Sequence, residues 1–335
     1  MKPKDFKEKM NNNFFITSID ISHSQKEITY QDNIITLGSC FSENIGQKLI
    51  ENCFSVEMNP FGVLYNPFSI SKSLEMLLEK KQFTQNDIFQ YRSLWHSFSH
   101  SSYFSDISSE KCLMKIQTRL DAASEFLRHA NFLLITFGTA WIYEERKSGR
   151  IVANCHKLPS SAFLRRRLTV EEIVANYDDL IKKLQSLFPQ LYIIFSISPI
   201  RYWKDGAYEN NVSKSILFLA IDALQKKFEN VTYFSAYEIL MDELRDYRFY
   251  DEDMIHPSAF AIKYIWKKFS DTYFSEITQK IVQRVEQLLN DFKHKPMHPE
   301  SEEYKEFLLH IQHRKEQLLS DFPFLAERLQ KSLLL

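Results

Sequence analysis

"IITLGSCFSENIG", residues 34–46, decides how this chain is read. A short apolar run stops at one glycine, Ser39 and Cys40 follow side by side, and a helix-like pattern begins. Such a run, bounded by a turn residue and followed by an amphipathic segment, reads as a buried strand feeding a helix. Glycine is scarce, 6 in 335 residues, so Gly38 marks a backbone shape that other residues avoid. The turn raises two questions: whether it carries a nucleophile, and whether that nucleophile is Ser39 or Cys40. The plain alternative for Ser39 is a helix N-cap. A reciprocal capping box wants Glu or Gln three residues on, where this chain has Ser42, and Glu43 is one residue late.

The same grammar recurs along the chain. "SVEMNP" reads as a second strand, "NFLLITFG" (131–138) as a third, "LYIIFSIS" as another buried strand, and "VTYF" as a last short one. "GRIVANCHK" reads as a short strand leading into a polar loop. "PFSISKSLEMLLEK" is an amphipathic helix with proline at its start. "TVEEIVANYDDLIKKLQSLF" is a helix opened by a Thr169–Glu172 capping box, and "SKSILFLAIDALQKKF" is another helix. Apolar strands alternating with such helices imply an α/β fold, a parallel sheet with helices on both faces. From about residue 275 only helical pattern remains, so the expected division is an α/β domain over 1–275 and a helical C-terminal extension over 276–335.

Bulk composition excludes several function classes. With 42 basic and 43 acidic residues the net charge is −1, which argues against a nucleic-acid partner. No apolar run is long enough to span a bilayer, and "MKPKDFKEKMNNNFF" lacks the apolar core of a signal peptide. Cys40, Cys53, Cys112 and Cys155 are widely spaced, with no metal-ligand pattern, so free thiols and no zinc site are expected. A cytoplasmic protein that needs no metal and no cofactor is the resulting expectation.

In an open parallel sheet, ligands bind beyond the carboxyl ends of the strands, where the strand order reverses. Ser39, Gly62 and Gly138 each follow a predicted strand. In "DEDMIHPS" (251–258), Asp253 and His256 are three apart. A tight turn with that spacing sets a carboxylate beside an imidazole, so that Nδ1–H is taken and Nε2 faces outward as a base. A surface loop in which Asp253 caps the next helix is the alternative.

Taken together, these residues resemble a known family. Gly38–Ser39–Cys40–Phe41, followed by Ser42 where alanine is usual, resembles the signature of the GSCFA domain family. "NPFGVLYNP", "FGTAWIY", "VANCHK", "SISPIRYWKDG", "YEILMDELRDYRFYDEDMIHPS" and "HKPMHPESEEY" look like that family's other blocks, in the same order. The family is similar to the SGNH, or GDSL-like, hydrolases, which implies a flavodoxin-like sheet. The resemblance implies that Ser39 is a nucleophile served by His256 and Asp253, with Gly62 in an oxyanion hole. It departs at the third block, where an asparagine donor is usual and this chain reads Gly138–Thr139–Ala140–Trp141. Asn154 is the expected replacement, with the Trp141 indole N–H as the alternative. A hydroxyl needs an adjacent base, which the His–Asp pair supplies, so Ser39 is preferred to Cys40.

His156 follows Cys155 directly, so in an extended segment the two face opposite sides, and His156 is expected to line the pocket. His96 and His100 are four apart, but their Ser-rich and aromatic surroundings suggest a loop. Arg201, Trp203 and Lys204 follow a strand and reach the sheet's carboxyl edge, and Arg201 there suits an anionic or carbonyl-bearing substrate. "RRR", 165–167, reads as a solvated loop. The sum is a serine hydrolase of esterase or deacylase type, acting on a small-molecule or glycan acyl ester, with no membrane partner. The alternatives are acyl transfer by the same serine, or a non-catalytic binding protein that keeps the fold.

Overall fold

The structure, a computed structural model, describes residues 16–294 and 296–332, and the amino-terminal stretch read above, 1–15, lies outside them. Five parallel strands form the central sheet: β1 Asn33–Gly38, β2 Ser55–Met58, β5 Phe132–Phe137, β9 Tyr192–Ile197 and β10 Val231–Phe234. Their spatial order is β10-β9-β5-β1-β2. In core order this is 2-1-3-4-5, the flavodoxin-like arrangement, and the order reverses between β1 and β5. Gly38 is paired with Thr136 across that switch point.

The continuous apolar runs bury both faces of the sheet because alternate side chains point to opposite sides. Ile35, Leu37, Leu133, Ile135, Phe137 and Phe195 join one core. It is covered by α2 Pro67–Leu78, α3 Ser109–Leu127, α4 Val170–Leu187 and α5 Gly206–Lys227. Ile34, Phe132, Leu134 and Ile194 face the second core. Its cover includes α1 Cys40–Glu51, α6 Ala259–Tyr273, α7 Glu276–Phe292 and α8 Glu302–Asp321. The helical tail therefore packs on the chain's own sheet: Ile311, Leu318, Leu325 and Leu329 are buried in this second core. Arg328 donates to the Tyr30 carbonyl at 2.9 Å.

Local signals set the helix starts. Asn66 accepts the Ser69 N–H at 2.8 Å with Pro67 at the first position of α2. The Thr169–Glu172 capping box is present on α4. Helix α5 begins at Gly206, earlier than the expected "SKSILF" start.

Two hairpin-like additions flank the sheet. β3 Phe89–Tyr91 pairs with β4 Leu94–His96. β6 Trp141–Glu145 pairs with both β7 Ile151–Val152 and β8 Phe163–Arg167. This corrects the reading of 165–167 as a solvated loop: the three arginines form the end of β8. They are held by ion pairs, Arg165 to Asp205, Arg166 to Glu144 and Glu172, and Arg167 to Glu209. A run of like charge forms a strand here because each arginine has a carboxylate across from it.

Gly38 has φ +142°, and a Cβ built on it would lie 2.2 Å from the Thr136 carbonyl oxygen. Gly38→Ala is expected to cost about 3 kcal/mol or more, since both the backbone angle and the contact oppose a side chain. Urea unfolding of the variant checks this, and a midpoint equal to that of the parent protein refutes it.

Candidate functional site

Ser39 is the N-cap of α1, with extended backbone and no side-chain capping bond. It is 1% exposed, and its Oγ has no hydrogen-bond partner among the described residues. Its N–H donates to the Thr136 carbonyl at 3.2 Å. The Gly62 N–H is also engaged, donating to the Asn59 carbonyl at 2.7 Å in a turn where Gly62 has φ +75°. Asn59 supplies a brace that the sequence reading missed: its Oδ1 accepts the Gly38 N–H at 3.0 Å. It adopts φ +41°, a left-handed angle that asparagine tolerates better than most residues.

Cys40 is half-buried, and like Cys53, Cys112 and Cys155 it is in no disulfide. Its thiol is pushed up from its ordinary range, first by burial and then by Glu43. The backbone N–H groups of Cys40 and Phe41 and the charge of Lys214 act the other way without prevailing. Cys40 is thus not an activated thiol.

The Asp253–His256 pair forms as the spacing predicts. Asp253 Oδ2 lies 2.5 Å from His256 Nδ1, and Oδ1 accepts the backbone N–H groups of His256 and Ile255 at 2.9 Å each. The His256 backbone N–H, its ring and the Ile255 N–H hold the Asp253 carboxyl down to about 2. A carboxylate that stays ionised only accepts, so Nδ1 carries a proton, and in the neutral ring Nε2 holds the lone pair. The pair lies open to solvent, the His256 side chain 50% exposed. No hydrogen bond joins it to Ser39.

The loop that carries the pair shares a cavity of about 220 Å³ with the carboxyl end of the sheet. Arg201 and Trp203, which follow β9, line it together with Met254, Ile255, Tyr247 and Tyr250. Arg201 Nε is enclosed without a partner. Trp141 opens β6 with the Arg165 guanidinium 4.1 Å from its ring centroid, and its indole N–H is likewise enclosed and unpaired.

Asn154 sits elsewhere in the hydrogen-bond network. Its Oδ1 accepts the His156 N–H at 2.8 Å, and no bond joins it to Ser39. His156 and Lys157 have φ +47° and +59°, so the segment is a left-handed turn and not the extended stretch expected. His156 is buried, and its Nε2 meets the Ser97 carbonyl at 2.8 Å. It lines a separate cavity with His96, Ser102 and Ser105. Burial lowers His156 to about 4 and His100 to about 3, so both are neutral imidazoles. His96 lies in β4 and His100 follows it in a turn, so no helix face unites them.

Lys214 was not singled out in the sequence. It is 2% exposed, and its Nζ donates to the Gly138 carbonyl at 2.7 Å and the Ser198 carbonyl at 2.6 Å. It belongs to the buried stripe of α5 with Asn210, Leu217, Ile221 and Leu224. A lysine at helical spacing within an apolar stripe was the signal available.

The sequence model of the GSCFA family matches residues 33–269, and that of the GSCFA domain protein, C-terminal domain, matches residues 285–333. No curated protein matches the chain. Among solved structures, a carbohydrate esterase family 3 protein from Talaromyces cellulolyticus is 8% identical with a TM-score of 0.34, covering 76% of this chain and 99% of its own. An acetyl xylan esterase from the rumen bacterium Butyrivibrio proteoclasticus is 11% identical with a TM-score of 0.37, covering 74% of this chain and 64% of its own.

The Asp253 geometry makes a direct prediction. Its carboxyl carbon, followed by NMR, should titrate with a midpoint of about 2, below the usual aspartate value of about 3.9. A midpoint near the usual value would mean that the His256 contacts do not persist in solution.

Proposed function

The chain belongs to the GSCFA family, and from that premise we propose that it is a serine hydrolase of esterase or deacylase type. Ser39 attacks the acyl carbonyl, His256 takes the hydroxyl proton at Nε2, and Asp253 holds the imidazole in the tautomer that makes this possible. The observation that carries this reading is the Asp253–His256 pair. It is a carboxylate-oriented imidazole with a free Nε2, on a loop that shares a cavity with residues following β9. Ser39 leaves β1 at the same carboxyl edge, beside the switch point.

The chemistry requires Ser39 and His256 to approach one another, since neither is bonded to the other in the resting arrangement. Substrate binding in the Arg201–Trp203 cavity is the step that brings the 250–258 loop over Ser39. A small-molecule or glycan acyl ester fits a cavity that offers both aromatic faces and a guanidinium. The amide at α1's first turn, Cys40 N–H, has no backbone acceptor among the described residues, so it is available to a developing oxyanion while the Ser39 and Gly62 amides are engaged.

The enclosure of Ser39 Oγ favours a second reading, a binding protein that keeps the fold without turnover. A fluorophosphonate probe separates the two. Labelling of Ser39, slowed about 100- to 10,000-fold by His256→Ala, is the result expected of a base-activated serine. Folded protein that takes no label at any concentration, yet binds a glycan in calorimetry with Ser39→Ala as tightly as the parent, supports the second reading.

A further inference from the structure

An ammonium enclosed without a counter-charge stands at the edge of this site. Lys214 makes no ion pair among the described residues; its Nζ is bonded only to two backbone carbonyls. An ammonium has three donors, so two bonds leave one N–H without an acceptor. Burying such a cation is costly unless it is paired, and carbonyl dipoles compensate only in part.

The two carbonyls are informative. Gly138 directly follows β5, the strand next to β1, at the block where the resemblance leads one to expect an asparagine donor, and Ser198 directly follows β9, the next strand over. Thr136, two residues before Gly138, accepts the Ser39 N–H. Cys40, the residue after Ser39 and the first of α1, lies close enough to Lys214 for the two groups to act on each other's charge. The charged and titratable groups facing Lys214 are Cys40 on α1, Arg201 after β9, and Tyr237 beyond β10, whose ring centroid is 5.8 Å from Nζ. None of these is a carboxylate.

We propose that Lys214 is a catalytic residue, the donor that stabilises the oxyanion in place of the missing third-block asparagine. This rests on the serine reading above. When Ser39 Oγ bonds to the acyl carbon, the C=O π pair moves onto oxygen and the hydroxyl proton passes to His256 Nε2. Lys214 donates its third N–H to that alkoxide and keeps its proton. Collapse of the intermediate returns the pair to C=O, breaks the bond to the alcohol oxygen and hands that oxygen the proton from His256. Water then repeats the sequence on the acyl-serine.

Burial holds Lys214 down to about 7, with Arg201 acting in the same direction and Cys40 opposing. Lys214 must be protonated to donate, so kcat should fall as the pH rises past its titration, and that alkaline limb belongs to Lys214.

The test uses the full chain, an aryl acetate and a fluorophosphonate. Lys214→Met should lower kcat and the Ser39 labelling rate about 100- to 1000-fold, with KM changed less than about threefold. Lys214→Arg, charged at every pH used, should recover part of kcat and lose the alkaline limb. Lys214→Met that is folded by circular dichroism and retains kcat within threefold of the parent overturns the proposal. If Lys214→Met does not fold, the parent decides: a kcat profile flat from pH 7 to 10 overturns the proposal, and a falling alkaline limb that Lys214→Arg abolishes upholds it. Failure of the parent to label or turn over any ester sinks the serine reading itself, and the Lys214 proposal with it. A labelled, active parent with an unaffected Lys214→Met sinks only the Lys214 proposal.

Discussion

The close approach of Gly38 to Thr136 is the constraint around which the site is built. Without a side chain at position 38, the exit of β1 lies against the backbone of β5, and the Ser39 N–H reaches the Thr136 carbonyl. The Gly38 carbonyl accepts the Leu64 N–H at 2.8 Å while the Asn59 side chain accepts the Gly38 N–H. One residue thereby ties β1, β5 and the loop after β2 into a single rigid corner. Tyr65 extends the corner, its carbonyl accepting the N–H groups of Gly138 and Thr139. Ser39 is placed by that corner, and the Gly138 carbonyl that holds Lys214 belongs to it.

Four of the ten histidines fall into two contrasting groups on physical grounds. His96, His100 and His156 are enclosed among Phe61, Phe83, Phe89 and Phe104, with their ring nitrogens turned to serine hydroxyls or carbonyls. Desolvation keeps His100 and His156 neutral, and they serve as polar packing. His256 is the opposite case, exposed, clamped by a carboxylate and left with a free nitrogen. Counting histidines near a sheet edge would not separate these; the partner on Nδ1 does.

How far the sequence carried depended on the range of the interaction concerned. The five core strands were legible because their apolar runs have a period of their own, and the α4 start because Thr169 and Glu172 are local partners. The Asp253–His256 pair was legible for the same reason, being closed within four residues. The arginines of β8 were misread because Asp205 and Glu209 lie about forty positions away. The left-handed turn at His156 was misread because nothing nearby in sequence announces it. Asn154 was assigned to the oxyanion from topology alone; its amide oxygen accepts the His156 N–H on that turn, a bond that does not use the amide N–H groups a donor would need. Lys214 lay in plain view on an apolar stripe and was passed over because the acceptors that explain it, Gly138 and Ser198, belong to other elements.

The second core is shared between segments at opposite ends of the described chain. Ile28 and Tyr30 pack in the same cluster as Leu325 and Leu329, and Arg328 reaches back to the Tyr30 carbonyl. As the protein leaves the ribosome, α2 to α5 can cover the first face of the sheet while the second still lacks its closing helices. Part of that face, the part that α7, α8 and the segment carrying Leu325 and Leu329 cover, stays open until those residues emerge, and in that interval a chaperone has something to hold.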